Sequence, residues 1–265
     1  MTITTTNPLR VVTLCSGYDS QCLALNRLKR DFPDFDYELV AWSEYDPETP
    51  NKPLEKQPAV VAHNALFPQW ADRNLGDMTK IDWKQVPDFD LLFYSAPCQS
   101  ISNAGLQHGF TEGSGTRSSI IWNVRDAVKI KRPKYLCLEN VKAMVSKKFL
   151  PMFNLWQQEL AHFGYMNFAQ VLNAKDYGVP EKKQKIELPP ELQGKKFRIR
   201  KLTPRECFRL MGVDDTDIDK MQASGLSNSA QYKLAGNSIV VDVLYHIFRK
   251  MFVETEDENQ QPTLF

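Results

Sequence analysis

With 265 residues, 42% of them hydrophobic and 25% charged, the chain has enough apolar material for one sizeable α/β domain, or for a core with a modest appendage. No stretch approaches the ~18 consecutive apolar residues of a membrane span, and Met1-Thr2-Ile3-Thr4-Thr5-Thr6 lacks the basic and apolar regions of a signal peptide. The net charge of +1 selects no partner, and five cysteines without paired metal spacing (Cys15, Cys22, Cys98, Cys137, Cys207) fit a reducing cytoplasm and predict no metal site.

In chain order, Arg10-Val11-Val12-Thr13-Leu14 reads as a strand. It opens through the turn Cys15-Ser16-Gly17-Tyr18-Asp19 into a helix over Gln21–Arg30, with Leu23, Leu25 and Leu28 apolar. Tyr37–Trp42 is a second strand, ending at Ser43-Glu44, and the proline-rich stretch Asp46–Pro58 is a loop. Pro58–Phe67 reads as a helix, Arg73–Met78 as a short strand or turn, and Phe89–Tyr94 as a strand that Pro97 breaks. Ser118–Ile130 carries a helical stripe, Tyr135–Leu138 is a buried strand, Pro151–Phe163 a helix and Phe168–Leu172 a further strand. Thr203-Pro204-Arg205-Glu206 is a capping box with Gly212 as the stop, and Asn237-Ser238 is expected to cap a last helix running to Met251. Strands separated by helices predict a mostly parallel sheet with helices on both faces. The expected units are a core over 8–180, a short basic stretch over 181–202, helices over 203–252 closing back on the core, and a frayed acidic tail over 253–265.

Two turns carry the chemistry. Ser95-Ala96-Pro97-Cys98-Gln99 presents a thiol at the carboxyl end of one strand, where open α/β sheets place their ligands. Glu139-Asn140-Val141 follows the next strand and reaches the same edge, and a thiol facing a carboxylate points to covalent catalysis with acid assistance. Each has a plainer reading alone: a buried cysteine, or an acid at a helix start. Gly105, Gly109, Gly113 and Gly115 lie in a stretch after Cys98 suited to closing over a substrate. Gly17 permits a tight nucleotide-type turn, Glu44 stands where an acid binds ribose hydroxyls, and Asp77 could accept from an adenine amino group. In order along one edge, the three point to an adenosine-containing cofactor. Between Lys182 and Lys201, eight basic residues face two acidic ones, which suits a solvated loop and a phosphate-binding stripe equally.

Pro97-Cys98-Gln99, Glu139-Asn140-Val141, Asn173-Ala174-Lys175-Asp176-Tyr177-Gly178-Val179-Pro180, Arg200-Lys201-Leu202-Thr203-Pro204-Arg205-Glu206 and Gly236-Asn237-Ser238 together resemble the ordered motifs of DNA cytosine-5 methyltransferases, from about Val11 to Met251. The resemblance implies a Rossmann-like S-adenosylmethionine-dependent methyltransferase fold in a restriction–modification setting, with S-adenosylhomocysteine as product. It implies Cys98 as the nucleophile on cytosine carbon 6, Glu139 as the acid at N3, and Asn140 in support. Leu14, Ser16, Gly17, Tyr18, Asp19, Glu44, Tyr45, Asp77, Met78, Pro97, Asn237 and Ser238 would bind the donor. Gln99, Ser100, Arg117 and Arg200 would contact DNA around a flipped-out cytosine. The implied partner is DNA, for a monomeric enzyme without a membrane.

The chain departs from that pattern in three places. Thr13-Leu14-Cys15 stands where the family has aspartate-leucine-phenylalanine, with Asp19 and Ser20 at glycine positions. After Pro180, Glu181, Lys183 and Lys185 replace a glutamine and two arginines; lysine still brings charge to the cytosine carbonyl oxygen but lacks the planar fork. Only 19 residues separate Pro180 from Arg200, too few for a base-reading module. Either base reading falls to the basic stretch, or a partner chain supplies it, or the target-recognition domain has been removed and 181–202 is its remnant, with activity weakened. Removal is the reading favoured by the abrupt junction around Lys185-Ile186. Two alternatives stand beside this: a donor-binding scaffold that contacts DNA or a partner, and an RNA cytosine methyltransferase.

Overall fold

Apolar runs separated by helical stripes fold here into one sheet. The computed structural model describes residues 3–97, 101, 109, 111–178 and 200–254. In it β1 is Leu9–Leu14, β2 Tyr37–Ser43, β3 Leu91–Tyr94 and β4 Tyr135–Leu138. They lie in the order β2-β1-β3-β4, and every pairing is parallel. Parallel neighbours need crossover connections; these carry α1 (Ser20–Asp31), α2 (Pro58–Leu66) and α3 (Val124–Lys131), and α4 (Leu150–His162) follows β4. All four carboxyl ends therefore meet along one edge. The strand order turns back between β1 and β3, which is where such sheets open a binding crevice.

Alternation along the strands divides the core. Leu9, Val11, Leu39, Leu91 and Phe93 face one side, against Leu25 and Leu28 of α1. Val12, Leu14, Ala41, Leu92 and Tyr94 face the other, against Val124 and Val128 of α3 and Trp156 and Leu160 of α4. Each fully buried leucine or phenylalanine contributes about 1.5–3 kcal/mol over its exposed state. The last third of the chain covers the first face with α5 (Pro204–Leu210), α6 (Asp215–Ala223), α7 (Asn228–Asn237) and α8 (Val241–Phe252). Helix α8 lies along α1. Arg27 of α1 ties this layer down, donating to Asp242 at 2.5 Å and to the Gly212 carbonyl at 2.8 Å. The capping box forms at α5, with Thr203 accepting from the Glu206 N–H and Glu206 accepting from the Thr203 N–H. Gly212 stops the helix at φ 74°, and a Cβ there would meet the Asp242 carboxyl at 2.5 Å.

Several expectations are corrected. Phe168–Leu172 forms no strand, and among the described residues nothing pairs with the outer side of β4. Arg73–Met78 is not a strand either: a 3-10 turn ends at Arg73, and Asn74 makes one isolated parallel bridge to Trp42. The helix expected from Ser118 begins as a 3-10 segment, Arg117–Asn123, and becomes α-helical only at Val124. Asn237 and Ser238 end α7 rather than cap α8, which starts after Val240 without a side-chain cap. Among the described residues no helix is long and apolar enough to cross a membrane.

Candidate active site

Among the described residues, the β1–α1 turn holds two of the three non-glycine residues with positive φ. Cys15, Gly17 and Asp19 all have positive φ, at 52°, 60° and 67°, and each non-glycine residue there costs on the order of 1–3 kcal/mol. Hydrogen bonds from the neighbouring strand hold the turn open. Ser16 N–H donates to the Ser43 carbonyl at 3.3 Å, and Gly17 N–H donates to Glu44 Oε2 at 2.8 Å. Beneath it, Thr13 Oγ1 donates to the fully buried Asp19 Oδ2 at 2.8 Å, and His63 Nε2 lies 3.5 Å from the same oxygen. Burial pushes the Glu44 carboxyl up to about 7, opposed by the Gly17 N–H. Burial also raises the Cys15 thiol, which sits 3.4 Å from the Met78 sulfur.

Tyr18 joins this turn to the last third of the chain. Its ring meets Phe208 edge-on at 5.7 Å, and its hydroxyl lies beside Ser238, which offsets part of the upward push of burial. Leu14 is buried under the turn, and Asn237 is exposed at the end of α7. A cavity of about 480 Å³ opens next to Tyr45, Gly76 and Asp77, within the ordinary ~300–1,000 Å³ range of small-molecule sites. Asp77 Oδ1 caps the following turn by accepting from Thr79, while Oδ2 lies 3.5 Å from Lys80.

The second pair of turns meets on the same edge. Tyr94 of β3 is in register with Leu138 of β4, so the residues after them emerge side by side. Glu139 N–H donates to the Tyr94 carbonyl at 3.2 Å, and Asn140 Nδ2 donates to the Ala96 carbonyl at 2.9 Å. Ser118 Oγ, fully buried, donates to the Pro97 carbonyl at 2.5 Å. The backbone leading to Cys98 is therefore held from two sides, and Asn140 does the holding on the Glu139 side. Desolvation raises the Glu139 carboxyl to about 7. A carboxyl half-protonated near neutrality can both donate and accept a proton in one cycle.

Cys98, Gln99, Ser100, Lys183 and Lys185 lie outside the described residues, as does the side chain of Arg117. Arg200 is described and is engaged: both its terminal nitrogens donate to Glu206 at 2.7 Å. Three contributors escaped the sequence reading. Asn74 accepts from the Glu44 and Gly76 N–H groups and donates to the Glu44 carbonyl, fixing Glu44 against the Gly76 turn. Ser118 and Ser43, which donates to the Gly76 carbonyl at 2.6 Å, do the same for their neighbours. Their signal is weak, since a polar residue bonding a distant carbonyl leaves no local pattern.

A family model described as C-5 cytosine-specific DNA methylase matches residues 9–188 and 181–253. The chain belongs to that family. Its enzyme class is accordingly DNA cytosine-5 methyltransferase. Among curated relatives, the type II methyltransferase M2.ScrFI of Lactococcus lactis subsp. cremoris is 32% identical over 258 residues, covering 68% of this chain and 71% of that protein. The orphan methyltransferase M.SssI of Spiroplasma monobiae is 37% identical over 130 residues, 48% of this chain. The chain spans only 34% of the length of M.SssI. Two solved structures share the fold. The Entamoeba histolytica methyltransferase EhMeth superposes with a TM-score of 0.65 at 15% identity, covering 94% of this chain and 99% of that one. The S. pombe Dnmt2 methyltransferase does so at 0.56 and 16%, covering 91% and 97%.

Proposed function

We propose that this methyltransferase transfers a methyl group from S-adenosylmethionine to carbon 5 of a flipped-out cytosine in DNA, through a covalent adduct at Cys98. The observation that carries the proposal is Glu139, a buried carboxyl at about 7 set beside the backbone that leads to Cys98. The donor's fit rests on the cavity at Tyr45, Gly76 and Asp77 and on Glu44, whose Oε2 is fixed by Gly17. Glu44 would take the ribose hydroxyls, Tyr45 and Asp77 the adenine, and the Ser16–Tyr18 turn with Ser238 the methionine end. When bound, the donor supplies an electrophilic methyl on a sulfonium.

The residues of this chain handle the cytosine. The Cys98 thiolate forms a bond to carbon 6, and the 5,6 π electrons shift to carbon 5 and toward N3. Glu139 meets that charge by donating a proton at N3. Carbon 5 then takes the methyl group. Loss of the carbon 5 proton to a base restores the double bond and expels Cys98 as thiolate, and the N3 proton returns to Glu139. Lys183 and Lys185 would bring positive charge toward the cytosine carbonyl oxygen. With Arg200 engaged by Glu206, base reading falls to the basic stretch 181–202 or to a partner chain that meets a monomeric enzyme.

Trapping tests the reaction. Duplex DNA carrying 5-fluorocytosine cannot lose its carbon 5 substituent, so wild type with donor should form an adduct that survives denaturant, and Cys98→Ala should form none. Glu139→Gln should form it about 100-fold more slowly or worse. Adducts on RNA alone would transfer the reading to RNA. Donor binding with no adduct on either would leave a scaffold.

A further inference from the structure

The carboxylate of Asp19 faces into the protein. Asp19 stands at the N-cap of α1, where an aspartate ordinarily accepts from a helix N–H, yet it makes no side-chain cap. Its side chain is 0% exposed and accepts from Thr13 Oγ1 at 2.8 Å. His63 Nε2 stands 3.5 Å from the same oxygen. His63 comes from α2 and is also 0% exposed. Its ring stacks on the Trp42 indole, with centroids 3.5 Å apart and planes 17° from parallel. Among the described residues no lysine or arginine pairs with Asp19, so His63 is the one basic side chain set against this carboxylate. A buried carboxylate is costly unless it is partnered, and Asp19 Oδ1 has no hydrogen-bond partner at all.

The contact matters because of where Asp19 sits. Backbone at φ 67° is unfavourable for a residue with a Cβ and persists only where its surroundings impose it. Asp19 closes the turn that begins at Cys15, its N–H donating to the Ser16 carbonyl at 2.8 Å. Trp42, on which His63 stacks, lies one residue before Ser43, whose carbonyl accepts the Ser16 N–H. His63 therefore touches the Ser16–Tyr18 turn from two directions, through Asp19 at its far end and through the end of β2 beside it. Both side chains are fully buried, so whatever they do for a ligand passes through the turn.

We propose that His63 is a positioning residue for the methyl donor: it holds the Asp19 carboxylate beneath the turn and so keeps Ser16–Tyr18 in the conformation that takes the methionine end. The proposal rests on reading that turn as part of the donor site. A turn that keeps its shape only part of the time binds more weakly in proportion to the fraction lost. His63→Phe leaves a ring on Trp42 but offers Asp19 no N–H. In calorimetry on the full chain, under conditions where circular dichroism shows it folded, it should bind S-adenosylhomocysteine about 10-fold more weakly than wild type. Its affinity for duplex DNA should not change. His63→Gln restores a side-chain N–H and should recover most of the loss. Asp19→Asn keeps the size and the tolerance of positive φ but is a weaker acceptor, so it should lose about 3-fold. Adding His63→Phe to it should then cost only about 3-fold more, because the two residues share one contact. Asp19→Asn decides the matter if His63→Phe fails to fold. Donor affinity equal to wild type in either single variant overturns the proposal. So does a loss that His63→Gln leaves unrepaired, or losses that add in full in the double variant. If wild type binds duplex DNA but no S-adenosylhomocysteine, the donor reading of the turn has failed, and the role of His63 falls with it.

Discussion

Glu44 and Glu139 close neighbouring parts of one sheet edge, and burial pushes both carboxyls to about 7. In an unfolded chain each would titrate near 4.3. The fold therefore favours their protonated forms, and their contribution to stability is full below about pH 4.3 and is lost as pH rises to about 7. Donor binding alters Glu44 in the opposite sense. Ribose hydroxyls donate to a carboxylate and favour its ionised form, so its proton must leave on binding. Calorimetry of S-adenosylhomocysteine binding at pH 7, in two buffers of different ionisation enthalpy, should report release of about half a proton by wild type. Glu44→Gln should release none, and matching heats in the two buffers with wild type would exclude Glu44 from the ribose. Both acids were legible in the sequence because each stands at the end of an apolar run, Glu139 directly after Leu138 and Glu44 one residue beyond Trp42. Asn74 and Ser118 were not, because each works by bonding backbone brought near it only by folding.

At the scale of elements, the segment after α4 shows where periodicity misleads. Phe168-Ala169-Gln170-Val171-Leu172 has the composition of a strand, but a strand is stabilised by its cross-strand partners rather than by its own residues. No partner is present among the described residues, and Met166, Phe168 and Val171 are 82%, 57% and 48% exposed. β4, whose four residues are only half-buried, is left as an edge. Phe168→Ser should accordingly shift the unfolding free energy by less than about 0.5 kcal/mol in a denaturant titration. A loss of about 3–5 kcal/mol would mean that the ring is packed in a core. β1, β2 and β3 were readable because their apolar content and their burial coincide, and β4 because it pairs in register with β3 although its residues are only half-buried. The last helix shows a smaller failure. The helix expected to run to Met251 is present, but Asn237-Ser238 looks like a cap whether it ends one helix or starts the next.

For the whole molecule, the parallel sheet with helices on both faces followed from the alternation of apolar runs, and the carboxyl-edge placement of Glu44, Pro97 and Glu139 followed from that topology. The partition of the core could not be read in the same way. An amphipathic stripe says that α8 is buried but not against what, and the answer is α1, from the opposite end of the chain. Arg27 of α1 bonding Asp242 of α8 strengthens that long-range contact.

The packing of α8 along α1 means that cohesion does not depend on an unbroken backbone between positions 178 and 200. Two separately encoded pieces, 1–178 and 200–265, should recognise one another through the same apolar seam and recover as a complex when produced together. A tag on one piece should then retrieve the other in equal amount, and Arg27→Ala should weaken the retrieval. If the pieces never associate, the seam is not what unites the molecule. Scission at this point would turn one polypeptide into two parts whose assembly follows the supply of the smaller one.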